Sequence, residues 1–182
     1  MTINFETKLI TINGQTILHL PVDASARLPS RGMTMVAGSL NGIPFKTVLE
    51  PDGRYMSDTK PSHWFAPDKQ LLADAHVTAG DTVRVTLETS KEWIEPDLPE
   101  DVKRALKTSP KAEKLWNTLT PMARWDWIRW VRAVKTQETR QKHLEVMLDK
   151  LNKGMRRPCC FNRSLCSDPT VSHNWALLAP TK

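Results

Sequence analysis

Through about residue 90 the chain alternates apolar and polar positions and breaks repeatedly at turn residues, a pattern that predicts short strands. "NFETKLITINGQTILHLP" breaks at Asn13-Gly14, and "TMVAGSLNGIPFKTVL" breaks at Asn41-Gly42. A type I′ turn needs positive φ at both central residues, which Asn-Gly tolerates, so each break predicts a hairpin. A third turn falls at "PDGR", Pro51 to Arg54. "TVRVTLET", Thr82 to Thr89, sets Val83, Val85 and Leu87 on one face against Arg84, Thr86 and Glu88 on the other. Ahead of it, Pro67 or Asp68 opens a short helix carrying Leu71, Leu72 and Ala75, and Gly80-Asp81 turns the chain into the strand. Short strands with frequent turns predict a small closed β-barrel.

From Pro99 the hydrophobic period becomes helical. "LPEDVKRAL", "SPKAEKLW" and "TPMARWDW" place Pro99, Pro110 and Pro121 at an eleven-residue interval, each opening a helix, with Ser109 and Thr120 as N-caps. A fourth helix, "TQETRQKHLEVMLDKLNKG", starts near Thr136, aligns Leu144, Met147, Leu148 and Leu151 on one stripe, and stops at Gly154. The fold class is therefore α+β: a β-barrel domain over residues 1–95, a bundle of short helices over 96–154, and a cysteine-containing tail over 155–182. The run Leu-x-x-Ala, then Gly-Asp, then alternating valines is similar to the swapped-hairpin barrels of some transcription regulators.

Charge is unevenly placed along these segments. Residues 1–96 carry nine Lys/Arg against eleven Asp/Glu, and residues 97–182 carry seventeen against nine. The basic half suits an acidic partner, nucleic acid included, or a solvated helical surface. No run reaches the roughly 18 apolar residues of a spanning helix, and "MTINFETKLITING" lacks the basic start and apolar core of a secretory signal. Three cysteines, two of them adjacent, make no disulfide framework. A bacterial-type cytoplasmic location is the expectation, and the oligomeric state is left open.

Candidate chemistry is sparse, and no catalytic constellation stands out. In "RWDWIRWVR", residues 124–132, Trp127, Trp130, Val131 and Val134 share one arc of about 100°, which predicts core. Trp125, Arg129 and Arg132 fall on the other side as a basic-aromatic surface, able to stack on single-stranded nucleic acid or to pack within the protein. Arg140 precedes Leu144 by one helical turn and so lies on an apolar stripe, where a guanidinium needs a carboxylate or carbonyl partner. It is expected as a clamp between elements, with ligand binding as the alternative. Arg54, His63 and Trp64 make a candidate small-molecule site at the barrel mouth, beside the polar loop "SDTKPSHW". No cofactor is predicted. Cys159, Cys160, Cys166 and His173 offer soft ligands that zinc or copper(I) accepts, although the spacing matches no zinc motif. Alternatively, Arg156, Arg157 and Arg163 lower a thiolate pKa and make one cysteine redox-sensitive.

"RGMTMVAGSLNGIPFKTVLEPDG", "AGDTVRVTLE" and "LPEDVKRALKTSPKAEKLWNTLTPMARWDWIRWVRAVKTQETRQKHLEVML" together resemble the YdeI/OmpD-associated, or bacteriocin-protection, family with its N-terminal β-barrel domain of unknown function. The resemblance spans roughly residues 3–154 and is most specific at "LPEDV", "SPKA", "LTP" and "AVKTQETR". A valine between Ala133 and Lys135, and several tryptophans, depart from the family pattern. The resemblance implies a noncatalytic binding or adaptor protein in resistance to bacteriocins and cationic antimicrobial peptides, with an unknown macromolecular or small-molecule partner. It supplies no catalytic residues.

Overall fold

The computed structural model describes residues 1–54 and 60–181, so Ser57 and Asp58 of the polar loop lie outside the described residues. The chain divides into two compact units. The first comprises Met1–Ile94 with Arg163–Cys166 and Thr170–Lys182; the second comprises Glu95–Asn162 with Ser167–Pro169. No helix among the described residues is long and apolar enough to cross a membrane.

The first unit is built on strands β1 (Thr2–Lys8), β2 (Ile10–Ile12), β3 (Gln15–His19), β4 (Thr34–Leu40), β5 (Ile43–Pro51), β6 (His63–Phe65) and β7 (Thr82–Thr89). Helices α1 (Val22–Ala26) and α2 (Lys69–Asp74) interrupt them. Both Asn-Gly breaks are two-residue hairpins. Ile12 pairs with Gln15 across Asn13 (φ 48°) and Gly14 (φ 80°), and Leu40 pairs with Ile43 across Asn41 (φ 49°) and Gly42 (φ 88°). Asp68 caps α2 by accepting a hydrogen bond from the Leu71 amide at 2.8 Å.

One antiparallel sheet results, in the order β1-β7-β4-β5-β6-β3-β2. The expected closed barrel is corrected to a curled, open half-barrel: among the described residues the ladder ends at β1 on one side and β2 on the other. The physical reason lies at Leu9, which parts one run of chain into β1 and β2. Its amide and carbonyl bond Asp81 and Gly80 just ahead of β7, so β1 stays with β7 while β2 pairs with β3, and the described ladders do not join into one ring.

Alternation along the strands separates two apolar layers. Ile3, Leu18, Leu20, Val36, Leu40, Leu49, Phe65, Val83, Val85 and Leu87 fill the main core. Ile12, Ile17 and Trp64 face the other way and are covered by Cys166, Val171 and Leu177 of the C-terminal segment. That segment forms a small hairpin of β8 (Ser172–His173) and β9 (Ala176–Leu177), whose Leu177 amide donates to the Asp52 carbonyl at 2.8 Å. Leu177 therefore covers apolar surface, while Trp175 stays 46% exposed.

The second unit holds α3 (Glu100–Lys107), α4 (Pro110–Asn117), α5 (Pro121–Arg132) and α6 (Gln137–Asn152) around a core of Val102, Leu106, Trp116, Trp127, Val131, Leu144, Met147 and Leu151. Pro110 and Pro121 occupy first-turn positions, and Pro99 stands one step earlier as the N-cap of α3. Thr120 and Thr136 cap α5 and α6 through the Ala123 and Thr139 amides. Ser109 instead donates to Asn152 at 3.0 Å and so ties the start of α4 to the end of α6.

Gly53 sits where the "PDGR" turn meets the C-terminal segment. Its φ is +73°, and a Cβ there would fall 1.8 Å from the Trp175 carbonyl oxygen and 2.8 Å from the Cys166 amide. Gly42 has a similar φ but open space around it. Gly53→Ala is expected to cost about 3 kcal/mol, the sum of left-handed strain and overpacking against backbone, whereas Gly42→Ala costs about 1 kcal/mol. Urea denaturation of the two variants checks this, and equal losses would contradict the close approach.

Candidate functional site

The helical unit presents a groove of about 340 Å³ between α3 and α6. Ala105, Leu144 and Leu148 supply its apolar lining; Asp101, Arg104, Thr108, Gln141 and Glu145 supply its polar groups. The residues align because positions three and four apart share a helix face: Asp101, Arg104 and Ala105 on α3 with Thr108 at its C-cap, and Gln141, Leu144, Glu145 and Leu148 on α6.

Arg140 closes one end of this arrangement. Its Nε and Nη2 donate to Asp101 Oδ2 and Oδ1 at 2.5 and 3.0 Å, a fork-on-fork pair. The two side chains are 21% and 19% exposed, so water only partly screens them. The Arg140 hydrogen bonds hold the Asp101 carboxyl below its ordinary value against the opposing effect of burial. Arg140 is thus a clamp from the first turn of α6 to the first turn of α3, and its guanidinium is committed to Asp101. The groove consequently offers Arg104 and Glu145 as its exposed charges, with the Asp101 charge already balanced.

The expected basic-aromatic surface is corrected at its centre, because Arg129 is fully buried. Its guanidinium lies over the Phe161 ring, 5.3 Å from the centroid, in an environment shared with the buried Asp126 one turn earlier on α5. Trp125 and Arg132 are half-buried, and Arg132 reaches Ser167 Oγ at 3.4 Å. Trp127 belongs to the core and donates from Nε1 to the Arg156 carbonyl at 3.1 Å; Trp130 packs edge-on against it and stacks on His143 at 4.0 Å. A face assigned from helical angle alone missed the chain beyond α6, which covers that side of α5.

Arg54, His63 and Trp64 do not line one open site. His63 and Trp64 are 1% and 3% exposed and, as neighbours on β6, point to opposite faces. Trp64 joins the second apolar layer and donates to the Pro51 carbonyl at 3.2 Å. His63 Nε2 donates to the Gly32 carbonyl at 2.8 Å, which leaves Nδ1 to accept from Ser25 Oγ at 2.8 Å. Arg31 donates to Ser25 Oγ and to the Ser25 and Leu28 carbonyls. Burial, aided by the Arg31 charge, lowers the His63 pKa to about 4. The Ser25–His63 pair has nucleophile-and-base chemistry, but both residues are sealed from solvent and it acts as a structural link.

Arg54 joins a separate group around the fully buried Asp52. His19 Nε2 donates to Asp52 Oδ2 at 3.1 Å, the Arg54 amide donates to Oδ1 at 3.0 Å, and Arg54 Nε stands 4.0 Å from Oδ2. Burial pushes the Asp52 carboxyl up, but the His19 hydrogen bond and the backbone hydrogen bonds of Arg54 and Ser62 outweigh it and hold the carboxyl low. Asp52, His19, Ser25 and Arg31 escaped the sequence reading because each is an ordinary residue in its own segment. Asp52, within the "PDGR" turn, carried the only local signal.

The cysteines and His173 divide between the units: Cys159 and Cys160 belong to the second, Cys166 and His173 to the first. Among the described residues no three His, Cys, Asp or Glu side chains converge to hold a metal. Cys166 is fully buried, and Cys159 and Cys160 are exposed. The cation at Cys159 is Lys150, whose Nζ donates to Sγ at 2.8 Å and draws the thiol pKa down. Of the arginines expected there, Arg156 is engaged with Thr118 and Arg157 with Asp126 and Met122, while Arg163 belongs to the first unit.

Compared with known families, residues 95–154 match the one described as bacteriocin-protection, YdeI or OmpD-associated. Residues 5–87 match a domain of unknown function, DUF1905. No curated protein matches the chain.

The buried His63 sets an acid limit on stability. Its folded pKa lies below the ordinary 6.5, so the unfolded chain takes up the proton first and stability falls as pH drops from 6.5 to about 4. The full loss is about 3 kcal/mol. Asp52 and Asp101, with lowered carboxyl pKa values, contribute stability that is lost only at still lower pH. Denaturation free energies measured between pH 7 and 4 are expected to slope for the parent protein and to flatten for His63→Gln; an unchanged slope would contradict the buried neutral imidazole.

Proposed function

We infer, from the match of residues 95–154 to the family described as bacteriocin-protection, YdeI or OmpD-associated, that this chain is a noncatalytic binding or adaptor protein acting in protection against bacteriocin-type peptides. The reading rests on one observation: the family match falls on the helical unit, where Glu95–Asn162 carries fifteen Lys/Arg against nine Asp/Glu. Like charges juxtaposed across an interface cost several kcal/mol, so this unit repels a cationic peptide rather than sequestering it. Its groove adds no acidic trap, because Arg140 balances Asp101 and Arg104 stands against Glu145. Protection then proceeds through an acidic partner that the basic unit engages.

Nucleic acid is the alternative acidic partner. With Arg129 buried over Phe161, that reading retains charge but loses the centre of its stacking surface.

Expression of the chain in a bacteriocin-sensitive strain is expected to raise survival. Reversing the exposed Lys107, Lys111 and Lys114 to Glu should remove the gain while the far-ultraviolet spectrum stays unchanged. Calorimetric titration with a cationic pore-forming peptide should show no saturable binding. Protection that survives the charge reversal, or tight binding of the peptide itself, would overturn the reading. A salt-sensitive affinity for single-stranded DNA lost in the same variant would move it to the alternative.

A further inference from the structure

Beyond α6 the chain brings two adjacent thiols, Cys159 and Cys160, to the surface beside an amine from the last turn of that helix. Lys150 Nζ donates to Cys159 Sγ at 2.8 Å, and Lys153, one turn further in sequence, is paired with Asp149 at 2.7 Å. The arrangement is local and directional, because the amine addresses one thiol of the two. A thiolate is the nucleophile in thiol–disulfide exchange, and a neighbouring cation favours it. The Lys150 hydrogen bond is the largest influence on Cys159 and lowers its pKa; the Cys160 thiol adds a smaller effect in the same direction.

We propose that Cys159 is a reactive thiol that takes up a small-molecule disulfide as a mixed disulfide, with Lys150 as its positioning residue. The Cys159 thiolate attacks one sulfur of the disulfide, a new S–S bond forms as the old one breaks, and the second half leaves as a thiolate that takes a proton from water. The incoming disulfide is thereby reduced by the thiol of the protein, and no other oxidant is consumed. Cys160 does not readily expel the adduct. Adjacent residues across a trans peptide have Cα atoms about 3.8 Å apart, short of the roughly 4.4 Å at which disulfides begin, so the ring it would close is strained. The mixed disulfide therefore persists, and forming it replaces the thiolate that Lys150 holds.

The full chain incubated with oxidised glutathione and mapped by peptide mass is expected to carry the adduct at Cys159, ahead of Cys160, with the buried Cys166 unmodified until the protein is unfolded. Iodoacetamide should alkylate Cys159 with a pH midpoint below the ordinary thiol value. Lys150→Met should slow alkylation at neutral pH by about threefold or more and raise the midpoint, while Lys150→Arg, which keeps a cation, should retain the parent rate. Equal labelling of Cys159 and Cys160, or a Lys150→Met rate equal to that of the parent, would overturn the proposal.

Discussion

The two-pronged bond between Arg140 and Asp101 is the constraint on which the helical unit depends. It joins the first turn of α6 to the first turn of α3 across 39 positions of chain. α6 is the longest helix of the unit, and its apolar residues Leu144, Met147 and Leu151 lie entirely within the unit's core. Apolar contact has no direction, so it selects the buried stripe of such a helix but resists small rotations and shifts along the axis only weakly. A guanidinium fork on a carboxylate fixes both register and rotation. The same pair removes the Asp101 charge from the α3–α6 groove, so one interaction sets the shape of the groove and its charge balance.

The half-barrel unit uses a different device. Its two apolar layers are linked by buried polar groups that are partnered with one another: His63 between Gly32 and Ser25, and Asp52 between His19 and the Arg54 amide. Buried polar atoms are expensive unless paired, so these links fix where the α1 loop and the C-terminal segment lie. Gly53 allows that segment to come within backbone contact of the turn. The groups resembling a catalytic apparatus in this unit, a serine on a histidine and an aspartate on a histidine, thereby serve architecture.

Local chemistry was legible in the sequence. Asn13-Gly14 and Asn41-Gly42 need no context to specify hairpins, Thr120 caps α5 as its place before Pro121 predicts, although Ser109 turns to Asn152 instead of capping α4, and the burial of Val83, Val85 and Leu87 follows from period-two alternation. Arg140 was also readable, since a charge on an apolar stripe demands a partner, although Asp101 could be named only by the fold. Readings that depended on what covers a surface fared differently. Arg129 is buried because Phe161, beyond α6, lies against it, and periodicity along α5 carries no information about a segment thirty-two positions away. Sheet closure is equally nonlocal, because it depends on how β1 and β2, parted at Leu9, take β7 and β3 as their separate partners. The amine at Cys159 lies one helix earlier in the chain, hidden among more obvious arginines.

The most direct measurement is a double-mutant cycle on the clamp, comparing the full chain with Arg140→Met, Asp101→Asn and the double variant by urea denaturation at neutral pH. If the pair fixes α6 on α3, each single change destabilises the protein and the double variant loses less than the sum, with a coupling energy of about 1 to 3 kcal/mol. Additive losses would show that the two residues act independently, and the clamp would not be what holds the helical unit in register.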